Sequence, residues 1–201
     1  MKVHVDGEVV ELAGQTVGEL LDAASERLNT EGRVIAEVVL SGGPLVGDGL
    51  EDARDDEVAD GALSLVSEDA RALALMALDE IGGVLDEAEV LQTEAADLLQ
   101  EDEPLEAYEK VGQAMGIWLQ AQQAVAESCL LLALDLEEIA VGDERGSDQV
   151  EHLRKQLGEL REQMLGQDTV ALADSLAYEW PDAVERWREL VSSLKRTIED
   201  E

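Results

Sequence analysis

The sequence predicts an α+β protein. A small N-terminal domain of mixed strands and one helix occupies residues 1–67, and an antiparallel four-helix bundle occupies residues 68–201. Three observations lead to this reading. Short β-branched runs with period-two alternation fall in the first third of the chain. From about residue 69 onward, apolar residues recur every three or four positions in four long stretches. The breaks between those stretches are polar and short, and short connections make helices antiparallel neighbours.

Lys2 to Val5 alternates, Asp6-Gly7 is a strong two-residue turn signal, and Val9 to Leu12 returns, so residues 1–12 read as a hairpin. Thr16 and Glu19 form a capping box in which hydroxyl and carboxylate satisfy the free backbone donors of a helix start. The helix carries Val17, Leu20, Leu21, Ala24 and Leu28 on one face and ends at Gly32. Arg33 to Leu40 is a β-branched strand, Ser41 to Pro44 a turn, and Leu45-Val46 a short extended piece. An acidic loop, Leu50 to Asp60, precedes a last strand, Leu63 to Val66.

The DG hairpin, the TVGEL helix start, VVLSGGPLVGDG after the helix and ALSLV at the end occur in the order ββαβ, short β, β. In that order they resemble the ubiquitin-like β-grasp fold over about the first third of the chain. Fold resemblance carries no activity by itself. Ubiquitin and the small sulfur carriers act through a free C-terminal Gly-Gly. Here Gly42-Gly43 lies in a turn and the chain continues past Val66 into helix. The resemblance therefore implies a fixed recognition module and not conjugation or thiocarboxylate chemistry.

Ser67-Glu68-Asp69 caps the first helix of the C-terminal region, about 69–100, whose stripe is Leu78, Ile81, Leu85, Ala88, Leu91, Ala95 and Leu98. Gly82-Gly83 within it predicts a bend or a close helix contact. Pro104 suits a first helical position. The helix over 104–133 carries Tyr108, Val111, Met115, Trp118, Gln122, Val125, Cys129 and Leu132 at alternating steps of three and four. Gly112 and Gly116 share a face that would admit a close neighbour. Gln122 in the seam either fixes register or faces the end of the core. The hairpin from Ala95 to Ala114 is similar to a tetratricopeptide-type unit, but no repeat follows it. After a loop over 134–147 with a short Leu136–Val141 element, Ser147 caps a helix with Val150, Leu153, Leu157, Leu160 and Met164 on one face. Gly166 ends that helix.

Asp168 caps the last helix, along which Leu172, Leu176, Trp180, Ala183, Trp187, Leu190, Leu194 and Ile198 share one face. Pro181 lacks an N–H and crowds the carbonyl of Ala177, which predicts a kink. Residues 168–187 are similar to the ends of some uncharacterised bacterial proteins with the same two-part plan, a resemblance that implies no activity.

Asp and Glu number 48 against 14 Lys and Arg, a formal net charge of −34. Such a chain repels nucleic-acid phosphates and anionic membrane surfaces. With 45% apolar residues it still has ample material for a core. Low Lys, abundant Asp and Glu, and no Phe fit a salt-adapted organism, and they fit an acidic interaction protein equally. A single cysteine, Cys129, makes no internal disulfide, which points to a reducing compartment. No apolar run approaches the roughly 18 residues of a membrane span, and MKVHVDGEVV is no signal peptide. The expected location is the cytoplasm.

No reaction is legible. His4 and His152 lie in different regions, Cys129 sits in an apolar stripe, and the acidic loop lacks calcium-loop spacing. SGGPLVGDG matches neither a phosphate-binding loop nor a dinucleotide fingerprint. No catalytic residue, metal or cofactor is expected. The first functional reading is a non-enzymatic interaction protein, an adaptor, regulator or assembly chaperone, whose partner presents a basic or amphipathic surface. Acidic helical bundles that hold flagellar or secretion clients resemble it in size and charge. A homodimer is compatible with this reading. The second is an enzyme or small-molecule-binding protein with its site between the two domains.

One surface residue carries the first reading. Tyr178 precedes Trp180 by two positions, about 200° round the helix, so it points away from the apolar stripe. There it joins Asp174, Asp182 and Glu185 on a polar face. An aromatic ringed by carboxylates beside a proline suits a basic or amphipathic partner. The alternative is that the kink turns Tyr178 back against a neighbouring helix or the N-terminal domain.

Overall fold

The structure is a computed structural model that describes residues 1–200. It is a mixed α+β architecture with two compact units, Met1–Leu73 and Ala74–Glu201. Each unit has its own apolar cluster, and the two clusters share no residue.

In the first unit, β1 (Lys2–Val5) and β2 (Glu8–Glu11) form the expected hairpin. Asp6 and Gly7 both take positive φ, 51° and 83°, which is the turn a two-residue hairpin needs. Helix α1 (Val17–Asn29) begins with the Thr16–Glu19 capping box. Gly18 lies where a Cβ would come within 3.1 Å of the Arg54 carbonyl, and its N–H donates to that carbonyl at 2.8 Å. Strand β3 (Arg33–Leu40) has the expected bounds. The turn after it is only Ser41-Gly42, and Gly43–Leu45 is an edge strand, β4, where Pro44 is tolerated. The acidic loop is partly helical: α2 (Asp48–Asp52) is a single short turn with no buried residue, too short to leave an apolar period in the sequence.

Strand β5 (Leu63–Asp69) runs three residues beyond its predicted end. The sheet order is β2-β1-β5-β3-β4, with β1 and β5 parallel and the other pairs antiparallel. Leu63, Leu65 and Ser67 alternate inward along β5, so a hydroxyl takes a buried place. Asp6 and Arg33 satisfy it. The Ser67 hydroxyl donates to Asp6 at 2.6 Å and accepts from Arg33 Nε at 2.7 Å, while Ser67 N–H donates to the other Asp6 oxygen at 2.7 Å. Ser67 is therefore part of the sheet and not of a helix cap. The cap is Asp69, which accepts from the N–H of Ala72 at 2.8 Å.

The second unit is built from α3 (Ala70–Gln100, which begins four residues before it), α4 (Pro104–Leu132), α5 (Gly146–Gly166), a short α6 (Thr169–Asp174), a π-helical turn (Ser175–Glu179) and α7 (Trp180–Asp200). The loop after α4 holds a two-residue hairpin, β6 (Ala140–Val141) and β7 (Glu144–Arg145). Asp148, not Ser147, closes the start of α5 by accepting from the N–H of Arg145 at 3.0 Å. Its end is shaped by Gln167 in the left-handed region rather than by Gly166. All eight apolar positions predicted for the last helical stretch are buried. Trp118 of α4 packs against Trp180 and Trp187, with ring centroids 5.5 and 5.8 Å away.

Two details of α4 differ from the sequence reading. The buried line is Ala107, Val111, Ala114, Trp118, Ala121 and Val125, so alanines replace Tyr108, Met115 and Gln122 at the centre. Where three indoles crowd one layer, the facing positions must be small. Gln122 is half-buried and donates to the Trp118 carbonyl of its own helix at 3.5 Å. Gly82, Gly83, Gly112 and Gly116 are exposed, and a Cβ on any of them would meet nothing within 4 Å. They do not mark close helix contacts.

Candidate partner-binding site

The π turn arises beside Pro181. Trp180 N–H donates to Ser175 five residues back, widening the turn just before the residue that cannot donate to Ala177. The wider turn keeps Leu172, Leu176 and Trp180, spaced by four, on the buried side. Polar side chains hold it in place. Gln163 donates to the Ser175 hydroxyl at 2.9 Å, Gln156 donates to the Glu179 carbonyl at 3.5 Å, and Arg186 donates to Gln156 at 3.1 Å. Tyr178 thus sits on a backbone fixed by α5 and α7, with its side chain free.

Tyr178 is 76% exposed. It is not folded back into the core. It lines one wall of a groove of about 280 Å³, together with Leu99 and Gln100 of α3, Val170 and Ala173 of α6, and Asp174. Val170 is 72% exposed, an apolar residue left off the buried face. Leu105 at the start of α4 and Leu165 at the end of α5 are also exposed and flank the same two helix connections. The lining has a carboxylate but no cation. Glu101, Asp102 and Glu103 add exposed acids in the α3–α4 connection.

The four residues singled out in the sequence do not form one ring. Tyr178 and Asp174 share the groove. Asp182 is exposed on α7 and does not line it. Glu185 is paired with Arg188, which also binds Asp86 and Glu89 of α3, the latter at 2.8 Å. The hydrogen bond to Asp86 above all raises the pKa of Arg188, with Glu89 and Glu185 adding to it. Lys195 pairs with Asp79 further along, so α3 and α7 are clipped antiparallel. The groove walls contributed by Leu99, Gln100 and Val170 were not apparent from the sequence. The one available signal was Val170, apolar but out of phase with Leu172 and Leu176.

Cys129 is buried, and burial pushes its thiol pKa up, away from nucleophilic reactivity. His152 lies 3.7 Å from Glu144 on the surface, and His4 is in the other unit. Among residues 1–200 no group of three or more His, Cys, Asp or Glu is arranged to hold a metal ion, and no helix is long and apolar enough to cross a membrane. Comparison with protein-family models, with curated proteins and with solved structures finds no match.

Proposed function

We propose that this chain is a non-enzymatic interaction protein of the cytoplasm, an adaptor, regulator or assembly chaperone, that binds a basic amphipathic segment of a protein partner. The observation that carries the reading is Tyr178, 76% exposed on a braced π turn at the wall of a groove of mixed apolar and polar lining that contains a carboxylate and no cation. An aromatic side chain loses little entropy on binding and offers both apolar area and a hydroxyl. Acidic surroundings steer a cationic segment toward it and hold other acidic proteins away. In this reading the first unit is a β-grasp recognition module, supported by the strand order β2-β1-β5-β3-β4, and the helical unit is an antiparallel four-helix bundle. The acidity serves solubility at high salt as well as partner choice.

A designed Lys/Leu amphipathic helix titrated into the full chain tests this, with a scrambled peptide of equal charge as the comparison. The amphipathic peptide should bind and should perturb the Tyr178 ring resonances. Tyr178→Ala should weaken it by about thirtyfold, the scale of an aromatic hot spot. Equal binding by the scrambled peptide, or unchanged binding by Tyr178→Ala, would reduce the interaction to diffuse charge attraction and refute the site.

A further inference from the structure

Helix α4 shows solvent a surface unlike that of its neighbours. From Val111 to Ala126 it has no charged residue, in a chain that is 31% charged. The inward positions explain half of this, because Val111, Ala114, Trp118, Ala121 and Val125 are core. The outward positions need another reason. Gly112, Gly116, Leu119, Gln123 and Ala126 are all exposed, and their steps of four and three put them on one outer face, which ends at the exposed Glu127, an acceptor for Gln123 Nε2 at 2.7 Å. Leu119, at its middle, is 62% exposed. The outer faces of α3 and α7 carry Asp79, Glu80, Asp86 and Glu87, and Asp182, Glu185 and Glu189.

We infer that this face of α4 is a self-association surface, on which a second copy lays its own α4. Two chains of net charge −34 repel wherever carboxylates meet, so they can approach closely only where charge is absent. The charge-free face of α4 meets that condition. A twofold axis presents it twice, which makes it complementary to itself in charge. Gly112 and Gly116 let the backbones come near, and Leu119 supplies apolar area at the middle of the face. A basic partner gains no ion pair here, which sets this face apart from the acid-rimmed Tyr178 groove. From Gly112 to Ala126 the face is about 21 Å long at the helical rise. One helix pair of that length buries less than the roughly 1,600 Å² of a standard interface, so the dimer is weak and reversible. Salt strengthens it, because screening removes the repulsion between copies and there is no interfacial ion pair to lose.

Sedimentation equilibrium of the full chain over a wide concentration range gives the test. Raising NaCl from about 0.1 to about 2 M should tighten dimerisation at least about tenfold. Leu119→Glu should leave a folded monomer at every salt concentration, and Gln123→Glu, a milder change on the same face, should weaken the dimer in the same direction. Met76→Glu adds the same charge at an exposed apolar position of α3 and should leave the dimer intact. A wild-type chain that stays monomeric throughout overturns the inference. So does a dimer that survives both Leu119→Glu and Gln123→Glu, or one that Met76→Glu abolishes equally.

Discussion

The sheet unit and the helical unit hold themselves together with different residues. All five aromatic residues, Tyr108, Trp118, Tyr178, Trp180 and Trp187, belong to the helical unit, and the chain has no Phe. Three indoles packed at tilted and edge-to-face angles fill the helical core. The sheet unit has only aliphatic side chains such as Val3, Leu20, Leu63 and Leu65 to bury, and it adds the Asp6–Ser67–Arg33 hydrogen bonds at the end of β5. A small core without rings has less apolar area to bury per residue, so directional polar contacts carry more of its specificity.

The largest effects should separate the two units. Trp118→Ala removes a fully buried ring that touches both other indoles, and should cost about 3–5 kcal/mol. Leu65→Ala in the sheet should cost about 2–5 kcal/mol. Because every Trp is in the helical unit, fluorescence reports that unit alone, whereas far-ultraviolet circular dichroism reports both. Trp118→Ala should lower the transition seen by fluorescence. Leu65→Ala should lower a dichroism transition and leave the fluorescence transition in place. If both substitutions move both signals together, the units unfold as one.

The sequence revealed the two cores to different depths, and for a physical reason. The last helical stretch was legible because large apolar residues recur at helical steps, and all eight are buried. The α4 seam was legible at Val111, Trp118, Val125 and Cys129, which are buried, but Tyr108, Met115 and Gln122 each stand one residue past the alanines that are buried in their place. Large side chains such as Met115 announce a stripe, while the small residues that let Trp118 fit do not. The π turn was legible only as a proline conflict at Pro181. Arg188 with Asp86 and Glu89, and Ser67 with Asp6, were not legible, since these partners lie far apart in sequence and one charge among many has no periodicity. The candidate site was half legible: Tyr178 pointed outward as its helical phase required, but the groove beside it depends on α3.

Salt should stabilise both units, by a smaller amount than the core substitutions remove. The net charge of −34 opposes compaction, and screening relieves it. Melting temperatures should rise by several degrees from low to molar NaCl, and KCl should act alike. A flat or falling midpoint in both salts removes the salt-adaptation reading.

The polar latch of the sheet gives a smaller effect with a defined pH window. The Ser67 hydroxyl first, then the Ser67 N–H, and then Arg33 hold the Asp6 carboxyl below its usual 3.8. A carboxyl with a lower pKa folded than unfolded stabilises the fold above about 3.8, and that contribution fades as pH falls through the lowered value. Asp6→Asn keeps a residue that tolerates the positive φ but loses the charge. It should cost about 1 kcal/mol at neutral pH, a value already reduced for partial exposure to solvent. The gap to wild type should close in melts taken as pH falls below about 4. A constant gap across that range would mean that the charge on Asp6 does not matter.

The smallest effect on stability is expected at Tyr178, and it bears most directly on function. Trp180 and Tyr178 are two residues apart on the same braced turn, one 1% exposed and the other 76%. Truncating the first opens a cavity in the indole cluster. Truncating the second removes a ring that solvent already surrounds, so Tyr178→Ala should change stability by less than about 0.5 kcal/mol. Natural chains rarely keep a large exposed ring beside other exposed apolar side chains without a partner for it. Melts of Trp180→Ala, Tyr178→Ala and the wild-type chain, followed by fluorescence at one salt concentration, measure the contrast. If Tyr178→Ala falls as far as Trp180→Ala, the ring is a structural member of the helical core and the groove loses its anchor. If it melts with the wild type, the ring is free to serve a partner, and the loss of peptide binding by the same variant can be read as loss of contact rather than loss of fold.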